Sequence, residues 1–128
     1  MTTERISVPS YTKAQRPDSF IRVRVASTSA IGPGKADLLE AIGETGSLAA
    51  ATRRMQISYR RSWDLVQSLN QSFRAPLVDL VKGGRAGGGA HLTGMGREVL
   101  ALYRRMESKA TAAIGEDLAA FRKLLRDE

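Results

Sequence analysis

Arginine and glutamine are the side chains best suited to reading the edges of base pairs. A guanidinium grips O6 and N7 of guanine with two bonds, and a carboxamide does the same for adenine. Residues 58–68 of this 128-residue chain read SYRRSWDLVQS, with Arg60, Arg61 and Gln67 close behind Ser58. With Ser62, Val66, Leu69 and Phe73 taken as an inward face at 100° per residue, Arg60, Asp64, Gln67 and Ser68 fall on the opposite side. Arg61 lies about 110° from the core direction. Asp64 is awkward beside phosphates: either it pairs with Arg60 one turn earlier, or it accepts from a cytosine amine. Tyr59 and Trp63 lie on the flanks of the same helix and read more readily as packing residues than as base contacts, with Tyr59 kept among the candidate DNA contacts.

A second concentration of chemistry follows at KGGRAGGGAHLT, from Lys82 to Thr93. Glycines permit positive φ and close backbone approach to a phosphate or a minor groove, and Lys82 and Arg85 supply charge. Gly84, Gly87, Gly88 and His91 join them as candidate contacts. A nucleotide-cradling loop is the competing reading. The stretch lacks the Gly-Lys-Ser/Thr ending of a phosphate-binding loop, and no GxGxxG run opens a helix after a strand. His91 is the sole histidine and there is no cysteine, so neither a metal site nor a nucleophile–histidine pair is expected. Enzymatic activity and cofactors are therefore not expected.

The charge distribution agrees with an anionic partner. The formal net charge is +7, and residues 47–91 contribute +5 of it, with seven Lys/Arg against Asp64 and Asp79. Such a cluster is either a solvated face or a nucleic-acid footprint. The lack of cysteine suits a reducing interior, and no apolar run reaches the length of a membrane span, which predicts a cytoplasmic protein.

The elements needed to position these residues are legible in outline. Residues 1–18 are polar and aperiodic and read as a mobile arm. Phe20 to Val25 alternates as a short strand, and Ser27 to Gly34 reads as a loop. Leu38, Leu39 and Ile42 have helical spacing, ended by Gly43 and Gly46. Ser47 is a candidate N-cap for a short helix burying Leu48, Ala51 and Met55, and Ser58 caps the next after a three-residue turn. Each cap leaves helix N-terminal N–H groups able to meet a phosphate, so Ser47 and Ser58 count among the contact candidates. Leu77–Val81 and Ala90–Leu92 form a hairpin with a long glycine-rich tip. Thr93 caps a last helix whose stripe runs through Val99, Leu102, Tyr103, Met106, Ala110, Ala113, Ile114, Leu118, Phe121 and Leu125, with Gly115 as a possible bend or break. A helix of about 30 residues is roughly 45 Å long, more than a small domain covers, so part of its apolar face needs a partner.

Two short helices, a tight turn and a following hairpin describe a winged helix-turn-helix. In this arrangement ISYRRSWDLVQSLNQSF, with Ser58, Tyr59, Arg60, Trp63 and Asp64 as its core, resembles the recognition helix of the ModE family of molybdate-responsive regulators. KGGRAGGGAHLT is similar to that family's wing. GETGSLAAATRRMQIS is less specific, because LysR-type regulators share its pattern. The resemblance runs from about Phe20 to Ile114. It implies a dimer holding two recognition helices and two wings toward DNA through the long helix, and it implies that Trp63 and Asp64 matter for folding or reading. Family members add carboxy-terminal oxyanion-binding modules that this sequence does not contain, so no small-molecule effector is expected.

The expected fold is mainly α with a small β hairpin (α+β), a winged helix-turn-helix with a long C-terminal dimerisation helix. Residues 1–18 are expected to form the arm, 19–92 the DNA-binding domain and 93–128 the dimerisation region. The expected function is that of a homodimeric, sequence-specific regulator of double-stranded DNA without membrane attachment. The alternative is an interaction module that heterodimerises with a full-length regulator or another protein and modulates its DNA binding.

Overall fold

Pro33 sets the start of the first helix, since its missing N–H and fixed φ suit the first helical position, and Gly46 ends it in the left-handed conformation at φ 69°. A computed structural model describes residues 23–25, 28–84 and 87–127. Its elements are β1 (Val23–Val25), β2 (Thr28–Ile31), α1 (Pro33–Thr45), α2 (Leu48–Met55), α3 (Tyr59–Ser72), β3 (Val78–Gly84), β4 (Gly87–Leu92) and α4 (Gly94–Arg122). The chain is an α+β winged helix-turn-helix with a long carboxy-terminal helix. The expected arm, residues 1–18, lies outside the described residues, as do Phe20 to Arg22 of the first strand.

One expectation fails at once. The segment read as a loop contains β2, which pairs antiparallel with β1 in the register Arg24↔Ser29 and Val25↔Thr28. Four residues of Thr-Ser-Ala-Ile are too few to display a period of two, yet Ala30 and Ile31 are buried.

All three expected caps close as hydrogen bonds. Ser47 Oγ accepts from the N–H of Ala50, Ser58 Oγ from that of Arg61 and Thr93 Oγ1 from that of Gly96, at 3.0–3.1 Å. Between α2 and α3 the chain turns through Gln56, a non-glycine residue at φ 58°. The helices cross where Ala51 is buried and where Thr52 Oγ1 donates to Ser62 Oγ at 2.7 Å. That hydrogen bond lets a serine sit inside an apolar contact without an unsatisfied hydroxyl. α1 is the hub of the core. Its Leu38, Leu39 and Ile42 meet Leu48 of α2, Val66 and Leu69 of α3, Leu77, Val78 and Ala90 of the hairpin, and Leu100 and Tyr103 of α4.

The long helix differs from its expected stripe in two ways. It runs unbroken through Gly115, and the face it turns to the core is Gly96, Leu100, Tyr103, Arg104 and Glu107. Leu102 and Met106 point away and are exposed. Arg104 reads in sequence as a surface residue but is buried at 2% exposure. Its Nη2 donates to Asp37 Oδ1 and its Nη1 to Glu107 Oε1, both at 2.9 Å, and its Nε lies 3.6 Å from Glu40 Oε1. Glu107 is fully buried, and its second oxygen makes no hydrogen bond among the described residues. A forked guanidinium thus joins α4 to α1, a contact outside the apolar stripe read from the sequence. Beyond it Ile114 and Phe121 continue the helix with exposed side chains, and Leu125, expected in the stripe, lies past its end at Arg122 and is exposed as well.

No described helix is long and apolar enough to cross a membrane. No group of three or more His, Cys, Asp or Glu among the described residues is arranged to hold a metal ion.

Candidate nucleic-acid interface

The cap at Ser58 starts α3 with Tyr59, Arg60 and Arg61 in its first turn, all three exposed. Ser62, Val66 and Leu69 are buried, so the opposite arc carrying Arg60, Asp64 and Gln71 faces solvent. Arg60 Nε stands 3.4 Å from Asp64 Oδ1, an exposed pair one helical turn apart. In water such a pair contributes little stability; its effect is to restrict the guanidinium. Gln67 is half-buried between this arc and the hairpin side. On the other flank Lys35 Nζ of α1 donates to Ser68 Oγ at 2.8 Å, and partial burial pushes that ammonium below the usual lysine range. Arg54 of α2 pairs with Glu44 at 2.9 Å, and Arg53 is exposed in the same turn.

Tyr59 and Trp63, read from sequence as packing residues, are 55% and 40% exposed. The helical pattern put them on a flank correctly, but nothing in the sequence says that the neighbouring hairpin leaves that flank open.

The hairpin is held by contacts that sequence reasoning missed. Asn70, near the end of α3, accepts at Oδ1 from the N–H groups of Leu77 and Val78 at 2.9 and 3.0 Å, and donates from Nδ2 to the Val78 carbonyl at 3.1 Å. Thr93 Oγ1, besides capping α4, donates to Pro76 O at 2.7 Å. On the α1 side the N–H of Ala90 donates to the carbonyl of Gly46 at 3.0 Å. Gly96 completes the root: a Cβ there would overlap the Leu77 carbonyl. By type alone Asn70 is a polar helix residue and Gly96 a glycine near a helix start, and neither points to a hairpin anchor.

Beyond this root the strands run further than expected. Val81 opposes Gly89 and Gly84 opposes Gly87, with an irregularity between the two pairs, so the glycines belong largely to the ladder and not to a long loose tip. An antiparallel pair can be carried by backbone hydrogen bonds alone, which side-chain patterns do not reveal. Gly84, Gly87 and Gly88 are thus strand residues. Arg85 lies outside the described residues. His91 is exposed on β4, opposite Asp79. Lys82 is exposed on β3.

α2, α3 and the hairpin together enclose an open groove of about 370 Å³. Its lining combines the apolar Leu48, Leu80 and Val81 with Ser47, Tyr59, Trp63 and Lys82, whose side chains carry polar groups. Three of the expected contact residues, Ser47, Tyr59 and Lys82, therefore share one site. Arg60, Asp64 and Gln67 occupy the adjoining outward face of α3 with Arg61 round its far side, and the His91 ring, which does not itself line the groove, lies over Gly89, which does.

No family model matches the chain. Among characterised proteins, it is 42% identical over 95 residues to the molybdenum-pterin-binding protein MopB of Rhodobacter capsulatus, covering 74% of this chain and 34% of that protein. It is 35% identical over 108 residues to the molybdenum transport protein ModE of Azotobacter vinelandii, covering 76% of this chain and 40% of the other. Against the DNA-binding transcriptional dual regulator ModE of Escherichia coli K12 it is 33% identical over 88 residues, 66% of this chain and 34% of that protein. The chain spans about a third of the length of the relatives it matches.

Proposed function

We propose, for a chain homologous to the ModE and Mop proteins over two thirds to three quarters of its length, that it binds duplex DNA as a transcriptional regulator. The observation that carries this reading is the solvent-facing arc of α3. Arg60, Arg61 and Gln67 stand on a capped helix beside a hairpin bearing Lys82. In this reading α3 enters the major groove and Arg60 and Gln67 read base edges. The hairpin lies along the backbone or the adjacent minor groove, with Lys82, Arg85 and the glycines Gly84, Gly87 and Gly88 close to phosphates.

The protein acts as a homodimer in this reading, joined through α4. Support comes from Leu102, Met106, Ile114 and Phe121, large apolar side chains exposed along one 29-residue helix, with Leu125 exposed just past its end. A surface of that kind usually has a partner, and two-fold symmetry suits paired half-sites about one helical turn apart.

Selection from random duplexes followed by a mobility-shift salt series tests the proposal. If each protomer neutralises about three or four phosphates, log K falls with log salt at a slope near −6 per dimer. Reversing charge at both Arg60 and Arg61 is expected to abolish binding, and unchanged binding would remove α3 as the reading element. Light scattering on the purified chain gives the oligomeric state, and Met106→Glu is expected to shift it toward monomer.

A further inference from the structure

Resting on the DNA-binding reading, we propose that the groove between α3 and the hairpin is the seat of one sugar–phosphate strand. A deoxyribose lies against Trp63 and Tyr59, and the neighbouring phosphate is held by Lys82 and Ser47. The chemistry of the groove selects this occupant. Its lining includes the apolar Leu48, Leu80 and Val81, every polar side chain in it can donate a hydrogen bond, and none is an acid. A ligand that fits must present an apolar body with anionic acceptors beside it, which describes deoxyribose flanked by phosphate.

Position leads to the same occupant. When a helix lies in the major groove and a hairpin lies in the adjacent minor groove, the strand separating those grooves has to pass between the two elements. Trp63 is turned about 60° around α3 from Arg60, toward the hairpin and away from the outward arc. It therefore faces the path of the strand and not the base edges. Lys82 gives this path the charge complementary to phosphate, and Tyr59, which lines the groove, is the chain neighbour of Arg60 in the first turn of α3. Nothing in this contact depends on base identity, so it supplies affinity common to all duplexes, while Arg60 and Gln67 supply discrimination.

Trp63 is the only tryptophan in the chain, so intrinsic fluorescence reads the groove directly. The full chain is titrated with end-labelled duplexes of several unrelated sequences. DNA anisotropy reports binding, and acrylamide quenching reports access to Trp63. The expected result is protection of Trp63 by every duplex, with Trp63→Ala weakening all of them about five- to tenfold and Trp63→Phe retaining most of the affinity. Lys82→Ala is expected to reduce the salt slope by about 1 per protomer. Thermal denaturation of Trp63→Ala controls for folding. DNA that binds while Trp63 stays as accessible as in the free protein overturns the proposal and leaves the DNA-binding reading intact. So does a loss confined to one selected sequence and reproduced by uracil in place of thymine, because that reports a base contact. Failure of every duplex to bind overturns both.

Discussion

The side chain of Asn70 clasps the main chain of Val78 at both polar groups, Oδ1 accepting from its N–H at 3.0 Å and Nδ2 donating to its carbonyl at 3.1 Å. A carboxamide is the side chain suited to this, since it offers an acceptor and a donor in one plane. Asn70→Ala leaves two N–H groups and a carbonyl without these partners and is expected to cost about 2–3 kcal/mol in urea unfolding. Asn70→Asp keeps the acceptor but sets a carboxylate oxygen against the Val78 carbonyl, and is expected to be as harmful. Amide exchange at Leu77 and Val78 separates this from a diffuse effect, because both N–H groups should lose protection before the core of α1 does.

Arg104 is the tie between α4 and α1, with Asp37 and Glu107 each 2.9 Å away. Arg104→Met leaves buried carboxylates without their cation and is expected to destabilise by about 3–5 kcal/mol, measured by thermal denaturation. Arg104→Lys recovers little of this, because one ammonium cannot fork to carboxylates on two helices.

Two glycines of α4 are expected to respond oppositely to the same change. Gly96→Ala drives a methyl group into the Leu77 carbonyl and either displaces the root of the hairpin or lowers stability by about 2 kcal/mol or more. A methyl at Gly115 meets nothing within 4 Å, so Gly115→Ala is expected to raise stability by about 0.5–1 kcal/mol through helix propensity alone. Unfolding midpoints of the two variants under one set of conditions check both signs.

Gln56 holds the turn between α2 and α3 at φ 58° and ψ 41°. A side chain costs about 1–2 kcal/mol in that conformation, and glycine costs somewhat less than that in unfolded-state entropy. Gln56→Gly is therefore expected to stabilise by about 0.5–1 kcal/mol. A loss of stability would mean that Gln56 contributes through its side chain.

What the sequence disclosed and what it withheld follow from how each feature is encoded. The caps at Ser47, Ser58 and Thr93 are local, so a residue type beside an apolar period was sufficient to find them. The inward face of α3 was equally readable from Ser62, Val66 and Leu69. Features that join distant segments left no such trace. Arg104 looks like any surface arginine until α1 brings Asp37 and Glu40 to it. Asn70 looks like a solvated helix residue until the hairpin folds back. β2 was invisible because its burial, at Ala30 and Ile31, is set by α1 and α3 and not by its own alternation. The outward arc of α3 was placed from periodicity, whereas the opening of the flank at Tyr59 and Trp63 depends on where the hairpin stands.

Gly96 seats the beginning of α4 directly against the Leu77 carbonyl, at the base of the hairpin, and from there the helix runs 29 residues to Arg122. From Gly96 to Glu107 it is clamped to the core, and only about 15 residues, roughly 22 Å, project beyond as a mostly exposed arm. A tilt of about 5° where the clamp ends moves Arg122 by only about 2 Å by the same geometry. Whatever grips that arm is therefore held at a nearly fixed distance and angle from the glycine ribbon, as on a bracket.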